Sequence, residues 1–90
     1  MQTLVVNVRN VSKDSYVYIG RPSVYGNPFV IGRDGSREQV ISKFRTYFHG
    51  RINNDSVFRG EVEALRGKRL GCYCAPCACH GDVIKEYLEN

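Results

Sequence analysis

The chain has 90 residues, of which 42% are hydrophobic and 24% charged, which excludes a second domain and is unlike the composition of a disordered chain. The formal net charge of +4 favours anionic partners, although the basic residues form no long run of the kind that makes a nucleic-acid-binding arm. We therefore expect one compact domain over residues 1–90 with a radius of gyration of about 12 Å, whose small core makes a homo-oligomer an option.

Strand-forming residues open the chain. Residues 4–8 form a short segment rich in β-branched side chains. After a stretch of turn-forming residues, residues 16–19 form a second segment of strand-favouring side chains. Glycine and proline then predict a long structured loop over residues 20–28. Residues 29–31 are expected to form a brief third strand before the turn at residues 34–35.

The middle of the chain carries helical patterns. Ser36 and Gln39 form a capping-box signature, and apolar residues follow at helical spacing, so we predict a helix that ends before Gly50. A second helix is expected from near Asp55 to Gly67.

The end of the chain returns to a strand and then to a helix. Residues 68–72 are predicted to be a strand, and apolar residues recur at helical spacing after Gly81. The order of elements is β-β-(β)-α-α-β-α. It predicts an α/β fold, in which about three helices cover a small open sheet of three to four strands.

Compartment and oxidation state follow from what the sequence lacks. No apolar stretch approaches the roughly 20 residues that span a bilayer, so no membrane contact is expected. The first residues lack the pattern of a signal peptide, and we expect a cytoplasmic protein. The four cysteines lie between Cys72 and Cys79, so that a disulfide among them closes only a small loop, which excludes a secreted disulfide scaffold.

The cysteine-rich loop, residues 71–82, lies between the last predicted strand and the last predicted helix. Ligands of open α/β sheets collect beyond the carboxyl ends of the strands, and a helix N-terminus at that edge offers free N–H groups to an anion. This position makes Cys74, Cys79, His80 and Gly81 candidates for ligand binding.

Other roles fit the same loop. A zinc ion could be held by a set drawn from Cys72, Cys74, Cys77, Cys79 and His80. We favour a site without a metal cofactor, because structural zinc sites usually draw two ligands from each of two separated segments. One thiol could instead be a nucleophile activated by the helix N-terminus, or the cysteines could be buried core residues, an interpretation that suits Cys77 best.

A second candidate site lies in the loop that follows the second strand. Arg21 is suited to charge-assisted contacts with a phosphate, and Asn27 is suited to hydrogen bonds with a polar edge of a ligand. Tyr25 or Phe29 is suited to forming an apolar or stacking wall. Alternatively, Asn27 caps its own backbone in a turn while the two aromatic residues belong to the core. For Phe29 we favour the core.

Three stretches carry these residues: Val17-Tyr18-Ile19-Gly20-Arg21-Pro22, Gly26-Asn27-Pro28-Phe29, and Cys72-x-Cys74-Ala75-Pro76-x-x-Cys79-His80-Gly81-Asp82. In this order, and over nearly the whole chain, they resemble a family of short domains of unknown function found in bacteria and phages. The family often has Trp where this chain has Tyr25, and Cys77 looks peculiar to this chain. The resemblance implies a compact cytoplasmic domain with one joint site and implies no particular activity.

The leading functional hypothesis is binding of a phosphorylated small molecule, such as a nucleotide or an ADP-ribose-like ligand. Arg21 and the helix N-terminus at His80 and Gly81 would hold phosphate, while Asn27 and Tyr25 would hold the base or sugar. A phage-type protein that sequesters a nucleotide signal is one form of this hypothesis. The alternatives are a zinc-bound module that binds nucleic acid and, third, an enzyme that acts on a nucleotide.

Overall fold

A three-stranded parallel sheet lies at the centre of the computed structural model, which describes residues 2–75 and 77–89. Strands β1 (Leu4–Asn7), β2 (Val17–Tyr18) and β3 (Arg69–Cys72) are arranged in the order β1-β3-β2. The central strand β3 pairs Leu70 with Val5 on one side and with Val17 on the other. Because the strands are parallel, their carboxyl ends meet at one edge of the sheet.

Three α-helices accompany the sheet in the described part of the chain. They are α1 (Arg37–Asn54), α2 (Ser56–Glu63) and α3 (His80–Glu89). Two short 3-10 helices, Val8–Asn10 and Lys13–Ser15, occupy the connection between β1 and β2. This arrangement confirms the small open α/β sheet that the sequence predicts.

The predicted third strand at residues 29–31 is wrong. The Val30 N–H donates to the Asp34 carboxylate at 2.8 Å, and the Asp34 N–H donates back to the Val30 carbonyl at 2.8 Å. These bonds close a turn in which Gly32 has a positive φ angle of 93°, and Gly35, directly after it, has a positive φ angle of 135°. The aspartate side chain thus takes the N–H group that a strand would have offered to a neighbour.

Helix α1 begins as predicted and ends later than predicted. The Ser36 hydroxyl accepts from the Gln39 N–H, and the Gln39 side chain accepts from the Ser36 N–H at 2.8 Å, which completes the capping box. Gly50 does not end the helix, because Phe48 and Ile52 on either side of it are both buried. Their burial outweighs the cost of about 1 kcal/mol for a glycine within a helix.

The core lies between the sheet and the three helices. Its largest fully buried side chains come from both layers and include Ile19, Phe44, Phe48, Phe58, Leu70, Ile84 and Leu88. The Cα radius of gyration is 12.4 Å, close to the expected value. Among the described residues, no helix has both the length and the apolar character needed to cross a bilayer.

Candidate functional site

A cavity of about 470 Å³ opens beyond the carboxyl ends of β2 and β3. This is the edge at which ligands collect in open α/β sheets. Its walls come from the end of β2, the loop before α1, the first turns of α1, and the cysteine-rich loop. The lining residues are Tyr18, Gly20, Arg21, Asn27, Phe29, Val30, Ile31, Arg37, Val40, Ile41, Cys72, Tyr73, Cys74, Ala78, Cys79 and His80.

Two arginines give the cavity a positive wall. Arg21 is exposed, and its guanidinium forms no hydrogen bond with any residue that the structure describes. Arg37 donates to the Ala78 carbonyl at 3.1 Å, and the Cys74 sulfur facing its guanidinium raises the pKa of Arg37. Asp and Glu are absent from the described residues that line the cavity. The site therefore favours an anion.

Aromatic rings form a second wall. Tyr18 and Tyr73 meet edge to face with ring centroids 6.1 Å apart, and Tyr73 is 55% exposed. Phe29 also lines the cavity and is only half-buried, so the expectation that it belongs to the core is wrong. The turn that begins at Val30 replaces the predicted strand, and the Phe29 ring meets Tyr47 edge to face at 6.2 Å without joining the buried core cluster.

Tyr25, by contrast, lies outside the cavity lining. Its ring packs against the core, and its hydroxyl donates to the Glu61 carbonyl on α2 at 3.4 Å. This is the packing alternative considered for the residue. The aromatic surface at the cavity comes from Tyr18, Phe29 and Tyr73 instead.

Asn27 both lines the cavity and holds its wall in place. Its side-chain oxygen accepts from the Phe29 N–H at 2.9 Å, and its side-chain nitrogen donates to the Val40 carbonyl at 3.2 Å. These bonds fasten the loop to α1. A side-chain amide has a second lone pair and a second N–H, so Asn27 retains capacity to bind a ligand.

His80 occupies the base of the cavity as a buried, neutral ring. Its Nε2–H donates to the Ile19 carbonyl at 2.7 Å, and its ring meets Phe44 edge to face at 5.2 Å. Burial lowers the pKa of His80. The ring therefore offers no positive charge to a phosphate, and its Nδ1 acts as an acceptor because the proton is on Nε2.

Gly81 and Asp82 change the expected role of the N-terminus of α3. Gly81 is buried outside the cavity lining, and a Cβ atom there would lie 2.8 Å from the Ile19 Cδ1. The glycine thus allows α3 to approach the end of β2. The Asp82 carboxylate accepts from the Cys79 N–H at 3.1 Å, so this N–H group is already occupied.

Cys72 and Cys79 form a buried pair of thiols. Their Sγ atoms are 3.4 Å apart, and both residues line the cavity. A hydrogen bond from Cys79 lowers the pKa of Cys72 to about 6, assisted by the N–H groups of Cys74 and Ala75. The same hydrogen bond, together with burial, raises the pKa of Cys79.

The other two cysteines are more accessible. Cys74 is half-buried in the cavity wall, whereas Cys77 is exposed, so the expectation that packing explains Cys77 is wrong. Within residues 2–75 and 77–89, no three Cys, His, Asp or Glu side chains gather as metal ligands would. Of the five candidate zinc ligands, Cys72 and Cys79 are in contact, but no third described candidate joins them as a metal ligand would. Pro76 of the motif lies outside the described residues.

The structure brings together most of the predicted site residues and adds others. Arg21, Asn27, Cys74, Cys79 and His80 all line the cavity. Sequence reasoning missed Tyr18, Arg37 and Tyr73. Tyr18 ends β2 and Tyr73 directly follows β3, so their positions at strand ends were a usable signal. Arg37 carried no such signal, because it reaches the cavity only through the folding of residues 20–36.

Comparisons with known proteins give a family and a phage relative. Residues 6–90 match the family described as Domain of unknown function (DUF4326). The chain is also 42% identical over 84 residues to an uncharacterized 12.4 kDa protein in the nrdA-td intergenic region of Enterobacteria phage T4. The alignment covers 92% of this chain and 76% of the phage protein. No solved structure matches the chain.

Proposed function

The chain belongs to the DUF4326 family of domains of unknown function, and from this premise we propose that its cavity binds a phosphorylated small molecule, such as a nucleotide or an ADP-ribose-like ligand. One observation carries the proposal. Arg21 and Arg37 are the positively charged residues of a wall that holds no carboxylate among the described residues. Guanidinium groups at the carboxyl edge of a parallel sheet are well suited to phosphate.

The size of the cavity supports a small ligand rather than a polymer. Its volume of about 470 Å³ falls within the roughly 300–1,000 Å³ typical of small-molecule sites. A nucleic-acid duplex would instead need an extended basic surface. A mononucleotide or a dinucleotide-like molecule therefore suits this site better than a nucleic-acid strand.

The uncharged part of the wall is suited to a base or a sugar. The Tyr73 ring is 55% exposed beside Tyr18 and carries the Arg9 guanidinium over one face at 5.2 Å, so its other face is the one suited to stacking. Asn27 and the Nδ1 of His80 offer polar atoms that can accept from hydroxyl or amino groups. In this arrangement phosphate binds near the arginines, and the aromatic end takes the rest of the molecule.

Binding without turnover is the form of the function that we favour. Among the described residues, the Arg21 guanidinium has no hydrogen-bond partner, whereas the Nε2 of His80 donates to the Ile19 carbonyl. The site is thus better equipped to hold an anion than to transfer protons. For a domain with a phage relative, we extend the proposal to sequestration of a nucleotide signal, with the motifs around Arg21, Asn27 and His80 as the common site of the family.

The test begins with a thermal-shift screen of nucleotides, ADP-ribose, phosphosugars and the matching nucleosides without phosphate. The compound that stabilises most is then titrated by calorimetry into the wild type, Arg21→Ala and Arg59→Ala. Arg59 is an exposed arginine on α2, away from the cavity lining, so its removal changes the net charge equally.

We expect Arg21→Ala to weaken binding at least tenfold, or about 1.4 kcal/mol, and Arg59→Ala to leave it unchanged. Equal affinity for the nucleoside and its phosphorylated form would contradict the proposal. Chromatography of the incubated ligand separates binding from turnover. Stoichiometric zinc in protein purified without added metal would favour the alternative of a zinc-bound nucleic-acid module.

A further inference from the structure

Two of the four cysteines are placed to react with each other. We propose that Cys72 and Cys79 are a redox-active dithiol that oxidises to an intramolecular disulfide at the base of the cavity. Their sulfur atoms are 3.4 Å apart, and both side chains are buried where they line the cavity. This inference starts from the geometry of the two thiols and holds whatever ligand the cavity binds.

The approach needed to form the bond is small. A disulfide has an S–S distance of about 2.05 Å, so the two sulfur atoms must close by roughly 1.4 Å. Cys72 ends β3, and Cys79 directly precedes α3. Of the residues between them, Tyr73 and Cys77 are exposed while Cys74 and Ala75 pack against the core, so we expect the two cysteine side chains themselves to make this movement.

The environment of Cys72 supports its role as the attacking thiol. The Cys79 thiol and the N–H groups of Cys74 and Ala75 all stabilise its thiolate, and the thiolate is the reactive form of cysteine. A small oxidant can reach it through the cavity, which opens to solvent. Cys79, which remains protonated beside it, is in position to resolve the first oxidation product.

Hydrogen peroxide is an oxidant small enough to follow this path, and its reaction with the two thiols has two steps. The Cys72 thiolate attacks one peroxide oxygen, which breaks the O–O bond and gives a sulfenic acid at Cys72 and hydroxide. The Cys79 sulfur then attacks the Cys72 sulfur and loses its proton, while the sulfenic oxygen leaves as water. In sum, two thiols and one peroxide give one disulfide and two waters.

Cys74 and Cys77 provide the comparison within the same loop. They have the spacing of a common redox motif, yet the described residues show no sulfur contact between them. The Cys74 sulfur faces Arg37 instead, and Cys77 is exposed. The structure thus assigns the disulfide to the outer pair of the four cysteines.

The experiment uses the wild-type protein. Reduced protein is treated with hydrogen peroxide near neutral pH, its remaining thiols are blocked with N-ethylmaleimide in denaturant, and the disulfide is then reduced and labelled with iodoacetamide. After the peroxide treatment, and before any thiol is blocked, we expect the mass of each chain to fall by two units. Fragmentation should place both carbamidomethyl groups on Cys72 and Cys79. Labelling of Cys74 and Cys77, or of no cysteine, would overturn the proposal.

Matched variants give a second measurement. The Cys74→Ser/Cys77→Ser double variant keeps the buried pair and should lose two mass units at the wild-type rate. Cys72→Ser removes the attacking thiol of the pair, so peroxide should not cause the loss of two mass units that a disulfide to Cys79 produces. If the Cys74→Ser/Cys77→Ser protein retained two free thiols after complete reaction of the wild type, the assignment to Cys72 and Cys79 would be wrong.

Discussion

His80 connects the start of α3 to the end of β2 through its hydrogen bond to the Ile19 carbonyl. We expect His80→Ala to destabilise the protein, because the carbonyl loses its partner, at a cost of about 1–3 kcal/mol. Chemical denaturation of the two proteins measures this difference. His80→Gln should recover part of the loss, since its amide can still donate. An unchanged midpoint for His80→Ala would show that the bond contributes nothing.

The same ring predicts a pH dependence of stability. Burial lowers the pKa of His80 in the folded protein below the value of about 6.5 expected when unfolded. As pH falls through about 6.5, the unfolded chain binds a proton on this ring that the folded chain does not bind, so the free energy of unfolding decreases. At higher pH this effect is absent.

The measurement is the unfolding free energy at about pH 7.5 and pH 5.5, compared between the wild type and His80→Gln. The wild type should lose more stability over this interval, because glutamine does not titrate. The lowered pKa of Cys72, about 6, also acts within this window, but Cys72 is present in both proteins and its effect cancels in the comparison. The lowered pKa values of Asp34, Asp55 and Glu63 act below about pH 4.5, outside the window. Equal losses in the two proteins would exclude His80 as the source.

Arg21 allows a sharper test of phosphate recognition than its removal. A lysine keeps the positive charge but presents a point charge in place of a planar fork. We therefore expect Arg21→Lys to recover only part of the affinity that Arg21→Ala loses, as measured by calorimetry with the ligand from the screen. Full recovery would mean that the site requires charge without bidentate geometry.

At the scale of the elements, the close approach of α3 to the sheet depends on Gly81. Alanine normally favours a helix over glycine by about 1 kcal/mol. At Gly81, however, its Cβ would lie 2.8 Å from Ile19 Cδ1, 3.2 Å from Val5 Cγ1 and 3.3 Å from Cys79 Sγ. Because Ile19 is fully buried and atoms of three residues crowd this position, we expect Gly81→Ala to destabilise the protein.

Gly60 in α2 is the matched control, because a Cβ there would meet nothing within 4 Å. We expect Gly60→Ala to raise the free energy of unfolding by about 1 kcal/mol. Thermal or urea unfolding of both variants gives the comparison. If both substitutions stabilised the protein, the contact between α3 and the sheet would be looser than the structure indicates.

The same elements show how far sequence reasoning reaches. Local patterns located α1 at its capping box and placed Arg21 and His80 at the sheet edge, because strand ends and helix starts carry local signals. The strand predicted at residues 29–31 failed because the Asp34 carboxylate binds the Val30 N–H, and no periodicity encodes that competition. Gly81 packs α3 onto the sheet instead of lining the cavity, which depends on tertiary contacts alone.

At the scale of the whole molecule, a bound ligand should raise the free energy of unfolding by an amount that is large for a domain of this size. The protein has 90 residues, and domains of this size have only a small core to stabilise them. A ligand at a hundred times its Kd adds about 2.7 kcal/mol to the free energy of unfolding. Since about 1 kcal/mol shifts the Tm of a domain this small by roughly 4–8 °C, we expect the proposed phosphorylated ligand to raise the Tm by about 10 °C or more.

Two variants connect this shift to the positive wall of the cavity. At the same ligand concentration, a tenfold weaker Kd in Arg21→Ala should reduce the stabilisation to about 1.4 kcal/mol, roughly half of the wild-type effect. Arg59→Ala should retain the full Tm shift, because Arg59 does not line the cavity. Added salt should diminish the shift, since the exposed Arg21 guanidinium is screened. If wild type and Arg21→Ala showed the same shift at every ligand concentration, the ligand would be binding away from Arg21.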